Sequence, residues 1–442
     1  MTNMSWLQFM PAFLRHRLEG RYALQAVAAN TGWLMADKLT RILVSLIVGA
    51  WVARYLGPAQ FGELAYALAL TAFFQAVANL GLDGIVVRDI ARDSKRAPEI
   101  LGTALYLRTL CGSLAWALAI FTVLLLRPGD SRALVLVALI SLGTVFQAAD
   151  TVDLWFQSQT QSRRTVLAKL VSMLVSNGVR IGLILRHAPL EAFAAIQLVE
   201  VALGALCLGI AYRRFPACAT WGATIGTGKK LLLESWPLLL GGISVAIYMR
   251  INQLMLREMT GGRELGVFSA VLPFAEVWNV IPVTICTSVA PIIVRKKAEG
   301  EENYYAALQL LFSALAWCAI IISISIALVA PMLVKLLLGD QFRESVPLLM
   351  ILVFSSIPIF LGVAQGIWII VEGKSRLAFA KAFSGAVSSV FLNVILIPIY
   401  GAKGAAFATV ASQMISAVIS NAWFAPKIFK MQLQFYRMNF SI

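Results

Sequence analysis

Five basic and two acidic side chains stand inside apolar stretches where charge is costly: Lys38, Arg41, Arg108, Arg180 and Arg250, with Asp37 and Glu276. An ionised group at the centre of a spanning helix costs roughly 2.5 to 3.5 kcal/mol on insertion scales, so such groups usually face the protein interior and mark function. An arginine fork binds phosphate oxygens two at a time and keeps its charge in a dry cavity, while lysine adds a point charge. Several cations around one space suit a multiply charged anion such as a pyrophosphate. Lys38, Arg41 and Arg108 fall in the inner-leaflet half of their apolar segments, and Arg180 and Arg250 toward the outer half. We expect these five to line a path for an anionic substrate, with Glu276 and Asp37 as ion-coupling groups. Each has a plainer alternative: Lys38 can snorkel to headgroups, Arg41 stands four residues from Asp37 on one helix face, Arg180 can reach outward past Arg186, and Arg250 can pair with Glu276. Amide and aromatic groups that could meet a sugar are Gln75, Asn79, Gln147, Trp155, Gln157, Asn252, Gln253, Trp278 and Asn279. Tryptophans near span ends more often form the interfacial belt.

The elements that must position these groups are helices crossing a membrane. The chain has 442 residues, 60% of them hydrophobic and 13% charged, with a mean hydropathy of +0.80. Soluble proteins carry about a quarter charged residues, so the composition gives an all-α polytopic membrane protein. The net charge of +15 is dispersed in small groups between apolar segments, the pattern of cytoplasmic loops rather than a nucleic-acid footprint. No nucleic-acid partner is expected.

Twelve segments are long enough to span, since about 20 apolar residues suffice: near 32–54, 60–82, 101–126, 133–157, 166–185, 191–212, 236–256, 266–294, 305–334, 346–371, 377–398 and 403–424. Basic residues concentrate in alternate loops, among them Arg88 to Arg96, Arg163 to Lys169, Arg295 to Lys297 and Lys374 to Lys381, which puts both termini on the cytoplasmic side. The expected organisation is a cytoplasmic interfacial segment 1–31, an N-terminal six-helix lobe 32–214, a cytoplasmic linker 215–235, a C-terminal six-helix lobe 236–424 and a cytoplasmic tail 425–442. Residues 1–20 hold no signal-peptide pattern.

The halves echo one another. Arg164, Lys169, Ser172, Val175 and Ser176 recur as Arg376, Lys381, Ser384, Val387 and Ser388, and FGELAYA from Phe61 pairs more weakly with LGVFSAV from Leu265. Lobes with an even number of spans share one orientation, so a pseudo-two-fold axis along the membrane normal relates them, with a substrate site between the repeats.

Catalytic chemistry finds no support. GATIGTGKK from Gly222 imitates a phosphate loop, but its spacing is one residue too long and Lys230 stands where Ser or Thr is required. The histidines are His16 and His187, the five cysteines show no ligand spacing, and no nucleophile motif occurs. We expect no catalytic residues, no metal and no cofactor.

The stretch WLMADKLTRILVSLIVGAWVARYLGPAQFGELAYALAL, followed by NLGLDGIVVRDIARD, resembles the start of the polysaccharide-unit (O-antigen type) flippases of the multidrug, oligosaccharidyl-lipid and polysaccharide exporter superfamily. ELGVFSAVLPFAEVWNVIPVTICTSVAPIIVRKKAEG is similar to the same family's eighth-span region. The resemblance implies two six-helix lobes that move a lipid-linked oligosaccharide, typically on undecaprenyl pyrophosphate, to the outer leaflet of the bacterial cytoplasmic (inner) membrane by alternating access. It implies as partners that lipid-pyrophosphate-linked oligosaccharide and membrane lipids, together with polysaccharide polymerase and chain-length machinery. Carried onto this sequence, the cavity residues are Arg41, Arg108, Arg180 and Arg250. The alternatives are an ion-coupled multidrug exporter of the same fold, for which carboxylates should dominate the cavity, and a membrane-bound glycosyltransferase or polymerase, for which the outer loops are too short.

Overall fold

The computed structural model describes the backbone of residues 22–159, 161–215 and 220–435, and the side chains of these except 22–39, 162 and 375. The interfacial segment before Tyr22 and the side chains of Asp37 and Lys38 lie outside the described residues. Everything regular among the described residues is helical. In chain order the helices are α1 (Tyr22–Ala78), α2 (Asp83–Arg92), α3 (Ala97–Leu126), α4 (Ser131–Phe146), α5 (Thr151–Ser158), α6 (Ser162–Leu185), α7 (Leu190–Arg213) and α8 (Ile225–Thr260). They continue as α9 (Gly262–Glu276), α10 (Val280–Glu299), α11 (Glu301–Leu337), α12 (Ser345–Leu352), α13 (Ser356–Val371), α14 (Ser375–Met414), α15 (Asn421–Phe424) and α16 (Pro426–Leu433).

Among the described residues, ten helical stretches are long and apolar enough to cross a membrane, and two of these are folded double. α1 breaks at Gly57 (φ 73°, ψ 168°) and α14 at Gly401 (φ 55°, ψ −133°), backbone conformations that a side chain disfavours. The arms of the second hairpin meet directly: Ser416 Oγ, in the π-helical turn that continues α14, donates to Lys381 O at 3.0 Å, and Glu264 accepts from Ala402 N at 2.9 Å at the reversal. In α1, Tyr55 meets the α6–α7 turn at Ala188 O, while Gln75, at the far end of the second arm, meets Gln147. Counting both hairpins, the described residues make twelve passes in two lobes of six.

The apolar core shows how the lobes meet. One buried cluster is shared: Ala53, Leu56, Leu136 and Phe193 from the first lobe pack with Leu256, Leu265, Phe268 and Leu349 from the second. Toward the other end the core divides. Leu82, Ile90, Leu101 and Phe156 form a cluster in the first lobe, and Ile293, Tyr304, Phe312 and Phe360 another in the second. The lobes are joined at one end and separate at the other, which we name the closed and open ends.

At the closed end the contact is backbone on backbone. A Cβ on Gly62 would lie 1.8 Å from Gly262 O, and one on Gly266 would lie 1.8 Å from Pro58 O. Gly62 and Gly266 occupy the same place in the two FGELAYA-like repeats, and Pro58 and Gly262 precede them by the same four residues. This reciprocal contact is what a two-fold relation between lobes requires. Glu63 seals it, accepting from Arg257 of the second lobe at 2.6 Å and from Arg127 of its own lobe at 3.4 Å.

The segment between the lobes is more ordered than a linker need be. α8 starts at Ile225, inside the expected 215–235 stretch, and Thr224 caps it by accepting from Thr227 N. The phosphate-loop imitation is thus a helix cap. Its first turns belong with the first lobe: Thr224 and Thr227 donate to Glu99 Oε1, and Leu231 sits in the first lobe's cluster. The expected tail is also structured in part, since α16 buries Ile428 and Met431 against the second lobe.

Candidate functional site

Between the lobes, next to the closed end, lies a cavity of about 400 Å³. The second arm of α1 gives Thr71 and Gln75, the α4–α5 pass gives Thr144 and Gln147, and α7 gives Gln197. From the second lobe, α8 gives Arg250 and Gln253, and α9 gives Ser269 and Glu276. The amides are paired rather than loose. Gln75 donates to Gln147 at 2.5 Å, and Gln253 donates to Ser269 at 2.9 Å and accepts from Arg250 at 3.4 Å. Arg250 forms no ion pair with a carboxylate among the described residues. Glu276 makes no hydrogen bond or ion pair among them. The two opposite charges therefore face one cavity without closing on each other, and a ligand can address both.

Pro273 and Pro282 explain how Glu276 gets there. α9 stops at Glu276, a 3₁₀ turn (Val277–Asn279) follows, and α10 resumes at Val280. The break bends the pass where it faces the cavity, a use of proline that membrane helices tolerate beside a cavity. Gln147 stands at a matching break, where α4 gives way to a 3₁₀ turn, Gln147–Asp150.

A second cavity, of about 230 Å³, opens inside the first lobe and shares Gln147 and Val201 with the first. Arg41, Asp150, Lys169 and Glu200 line it. Lys169 is bound by Asp150 and Asp153, both at 2.8 Å. The sequence places Lys169 among loop cations and reads the two aspartates as solvated helix ends; in the structure, Lys169 stands on α6 and ties two passes together.

The expected site residues are thus divided. Arg250 and Glu276 share the central cavity, and Arg41 lines the adjoining one. Arg180 lines neither: it donates to Glu200 at 2.7 Å, Gln197 at 2.6 Å and Asn177 at 3.1 Å, and so fixes one wall residue of each cavity. Arg108 is buried on α3 and bound to Asp83 at the start of α2, away from both cavities. Of the proposed sugar-contacting amides, Gln75, Gln147 and Gln253 reach the central cavity. Asn252 instead joins a buried network with Thr409, Ser389 and Asn393.

Gln197 and Lys381 escape the sequence reading. Gln197 is a lone amide one turn before Glu200 and carries no motif. Lys381 reads as a loop residue but is 7% exposed, donating to Gln365, which is bonded in turn to Asn421. The repeat could have flagged it, because Lys381 is the mate of Lys169 and Gln365 stands at the register of Asp153. No group of three or more metal-type ligands occurs among the described residues.

Two six-helix lobes around a cavity closed at one end define a polytopic, all-helical membrane protein with a cavity shared between its lobes. Solved structures agree on the fold. An inward-facing multidrug-resistance MATE transporter of the MOP superfamily superposes with a TM-score of 0.71 at 16% identity, covering 90% of this chain and 99% of its own. The lipid II flippase MurJ in an inward closed conformation gives 0.69 at 12%, covering 92% and 91%. The outward-facing form of a MATE transporter gives 0.60 at 16%, covering 92% and 96%. No curated protein matches the sequence. The chain matches the family described as "Polysaccharide biosynthesis protein" over residues 27–297 and belongs to that family.

Proposed function

We propose that this protein is a flippase that carries a lipid (undecaprenyl) pyrophosphate-linked oligosaccharide repeat unit from the cytoplasmic to the outer leaflet by alternating access, for surface polysaccharide biosynthesis. The observation that carries the reading is the central cavity, where Arg250 has no carboxylate partner and stands among the hydrogen-bonding amides Gln75, Gln147, Gln197 and Gln253. An unpaired guanidinium suits a phosphate, and amides suit sugar hydroxyls because each both donates and accepts. Membership of a polysaccharide biosynthesis family favours the same substrate class.

In this reading the open end is cytoplasmic, the twelve passes belong to a bacterial inner membrane, and the lobes are 32–214 and 236–424. Arg41, with Lys38, receives the headgroup near the entry, Arg250 holds it at the cavity, and Glu276 serves as the coupling carboxylate. Arg180 acts by positioning Gln197 and Glu200. The test is reconstitution in vesicles with a fluorescent undecaprenyl-pyrophosphate oligosaccharide, followed across the bilayer. Rates equal with and without protein overturn the flippase reading. Full transport by both Arg41→Gln and Arg250→Gln overturns the cationic path.

A further inference from the structure

Beside the closed end, outside both cavities, a groove of about 600 Å³ runs between the end of α11 and the start of α12. Its floor is Pro331, Val334, Val346 and Pro347, and its charged residues are Lys335, Asp340 and Arg343. Arg54 of the first lobe leans against it: a Cβ on Gly339 would lie 3.4 Å from Arg54 Nε, and Gln341 donates to Arg54 O. Arg54 of the first lobe therefore stands beside a groove whose lining belongs to the second.

Its cations differ from others at this end. Arg127 and Arg257 hold Glu63, Arg132 holds Glu191, and Arg263 holds Glu344. Arg54, Lys335 and Arg343 hold no carboxylate among the described residues, and Asp340 holds no cation. Two positive charges and one negative thus line a partly apolar trough, with Arg54 beside its Gly339 edge. Just along α11, Leu328, Met332 and Leu336 are exposed at 76%, 68% and 66%, the surface of a helix side that faces lipid chains. A cationic groove set at the edge of such a surface matches an amphiphile whose head is anionic and whose tails are apolar.

We propose that this groove binds an anionic phospholipid of the phosphatidylglycerol class from the adjoining leaflet. The phosphate sits among Lys335, Arg343 and Arg54, the glycerol hydroxyls donate to Asp340, and the acyl chains lie on Leu328, Met332 and Leu336. Because Arg54 belongs to one lobe and Lys335 and Arg343 to the other, the bound lipid bridges the lobes and favours the conformation seen here.

The test uses the purified full chain in detergent, with retention of phosphatidylglycerol and of phosphatidylcholine measured by native mass spectrometry. The wild type should retain phosphatidylglycerol preferentially. Neutralising one cation near a membrane surface weakens anionic-lipid binding about fivefold, so Arg54→Gln/Lys335→Gln/Arg343→Gln should lose at least about tenfold, whereas Arg132→Gln should lose nothing. All three changed side chains are exposed, so folding should survive, and an unchanged thermal transition checks it. Equal retention of the two lipids by the wild type, or undiminished phosphatidylglycerol binding by the triple variant, overturns the proposal. Displacement of the bound lipid by undecaprenyl pyrophosphate at lower concentration also overturns it, since the groove then belongs to the transported lipid. In nanodiscs, adding phosphatidylglycerol should slow closed-side labelling of a cysteine placed at Thr71 in a background without native cysteines, and not when the triple substitution is added; equal slowing in both overturns the proposal.

Discussion

Glu63→Gln should open the closed end. The Glu63 carboxylate meets Arg257 across the lobes at 2.6 Å, with side-chain exposures of 21% and 15%, so the pair is neither fully wet nor fully buried. Exposed pairs contribute up to about 1 kcal/mol, and breaking a buried pair from one side costs about 3 to 5 kcal/mol. An intermediate pair should contribute roughly 1 to 3 kcal/mol, which shifts the ratio of closed to open conformers by about 5- to 150-fold. Arg127 softens the loss only within the first lobe, because its other partner is Asp130. The assay is the rate at which an impermeant thiol reagent applied from the closed side labels a cysteine at Thr71, on the cavity wall, in a background without native cysteines. Labelling should rise in Glu63→Gln and in Arg257→Gln, and the double variant should add less than the sum, as for two residues in one contact. Arg132→Gln, which breaks a pair inside the first lobe, should leave labelling unchanged. If Glu63→Gln labels no faster than the parent, or if Arg132→Gln matches it, the assignment of Glu63 as the interlobe seal is wrong.

Gly62→Ala and Gly266→Ala should each raise closed-side labelling more than Glu63→Gln, because the added methyl would sit 1.8 Å from a backbone carbonyl of the other lobe that cannot step aside. In the flipping assay, Arg250→Gln should reduce transport roughly 10- to 150-fold, the range for losing a charged hydrogen bond of about 1.5 to 3 kcal/mol, with Arg250→Lys intermediate. Lys169→Gln leaves Asp150 and Asp153 facing each other without a cation, so it should lower the melting temperature, and Asp153→Asn added to it should restore part of the loss. The Lys297 hydrogen bond holds the Glu372 carboxyl, in the turn between α13 and α14, below its usual range. That pair stabilises the fold above the unfolded carboxyl value near about 4.3 and ceases to as pH falls through the lower folded value. Glu372→Gln should therefore destabilise slightly at neutral pH, by less than about 1 kcal/mol, and not at all in strong acid, as read by melting temperature against pH.

What was legible in the sequence follows from what each signal depends on. Span number and lobe division depend on apolar length, and twelve segments return as twelve passes even though α1 and α14 each run two passes together through a single glycine. The partners of charges depend on which helices meet, and that is not written in spacing. Arg108 and Arg180 resemble Arg250 in sequence, each alone in an apolar span, yet Asp83 lies 25 residues from Arg108 and Glu200 lies 20 from Arg180. Arg250 differs only because the cavity stands in front of it. The repeat carried more than its length suggests, since the weak echo at Phe61 and Leu265 contains the two glycines on which the lobes touch.

Under the proposed alternating access, the division of charges says which contacts change. Lys169 with Asp150 and Asp153, Arg180 with Glu200, and Arg108 with Asp83 all pair inside the first lobe, so rocking that lobe as a body breaks none of these contacts. Charge pairs that join different bodies are the ones that alternate. Glu63 with Arg257 is one at the closed end. At the open end Glu234 and Lys230 of α8 meet Arg88 and Asp89 of α2, which holds the first turns of α8 to the first lobe while Ser244 onward packs with α14 of the second. Between these anchors stand Pro237 and the pair Gly241 and Gly242, and a Cβ on either glycine would meet nothing within 4 Å. Proline and glycine pairs are where helices bend, so α8 must take up the angular change between lobes at residues 237–242. Gly241→Ala/Gly242→Ala creates no clash and stiffens this hinge alone. It should leave closed-side labelling at rest unchanged while slowing transport. Unimpaired transport by that variant would place the hinge elsewhere.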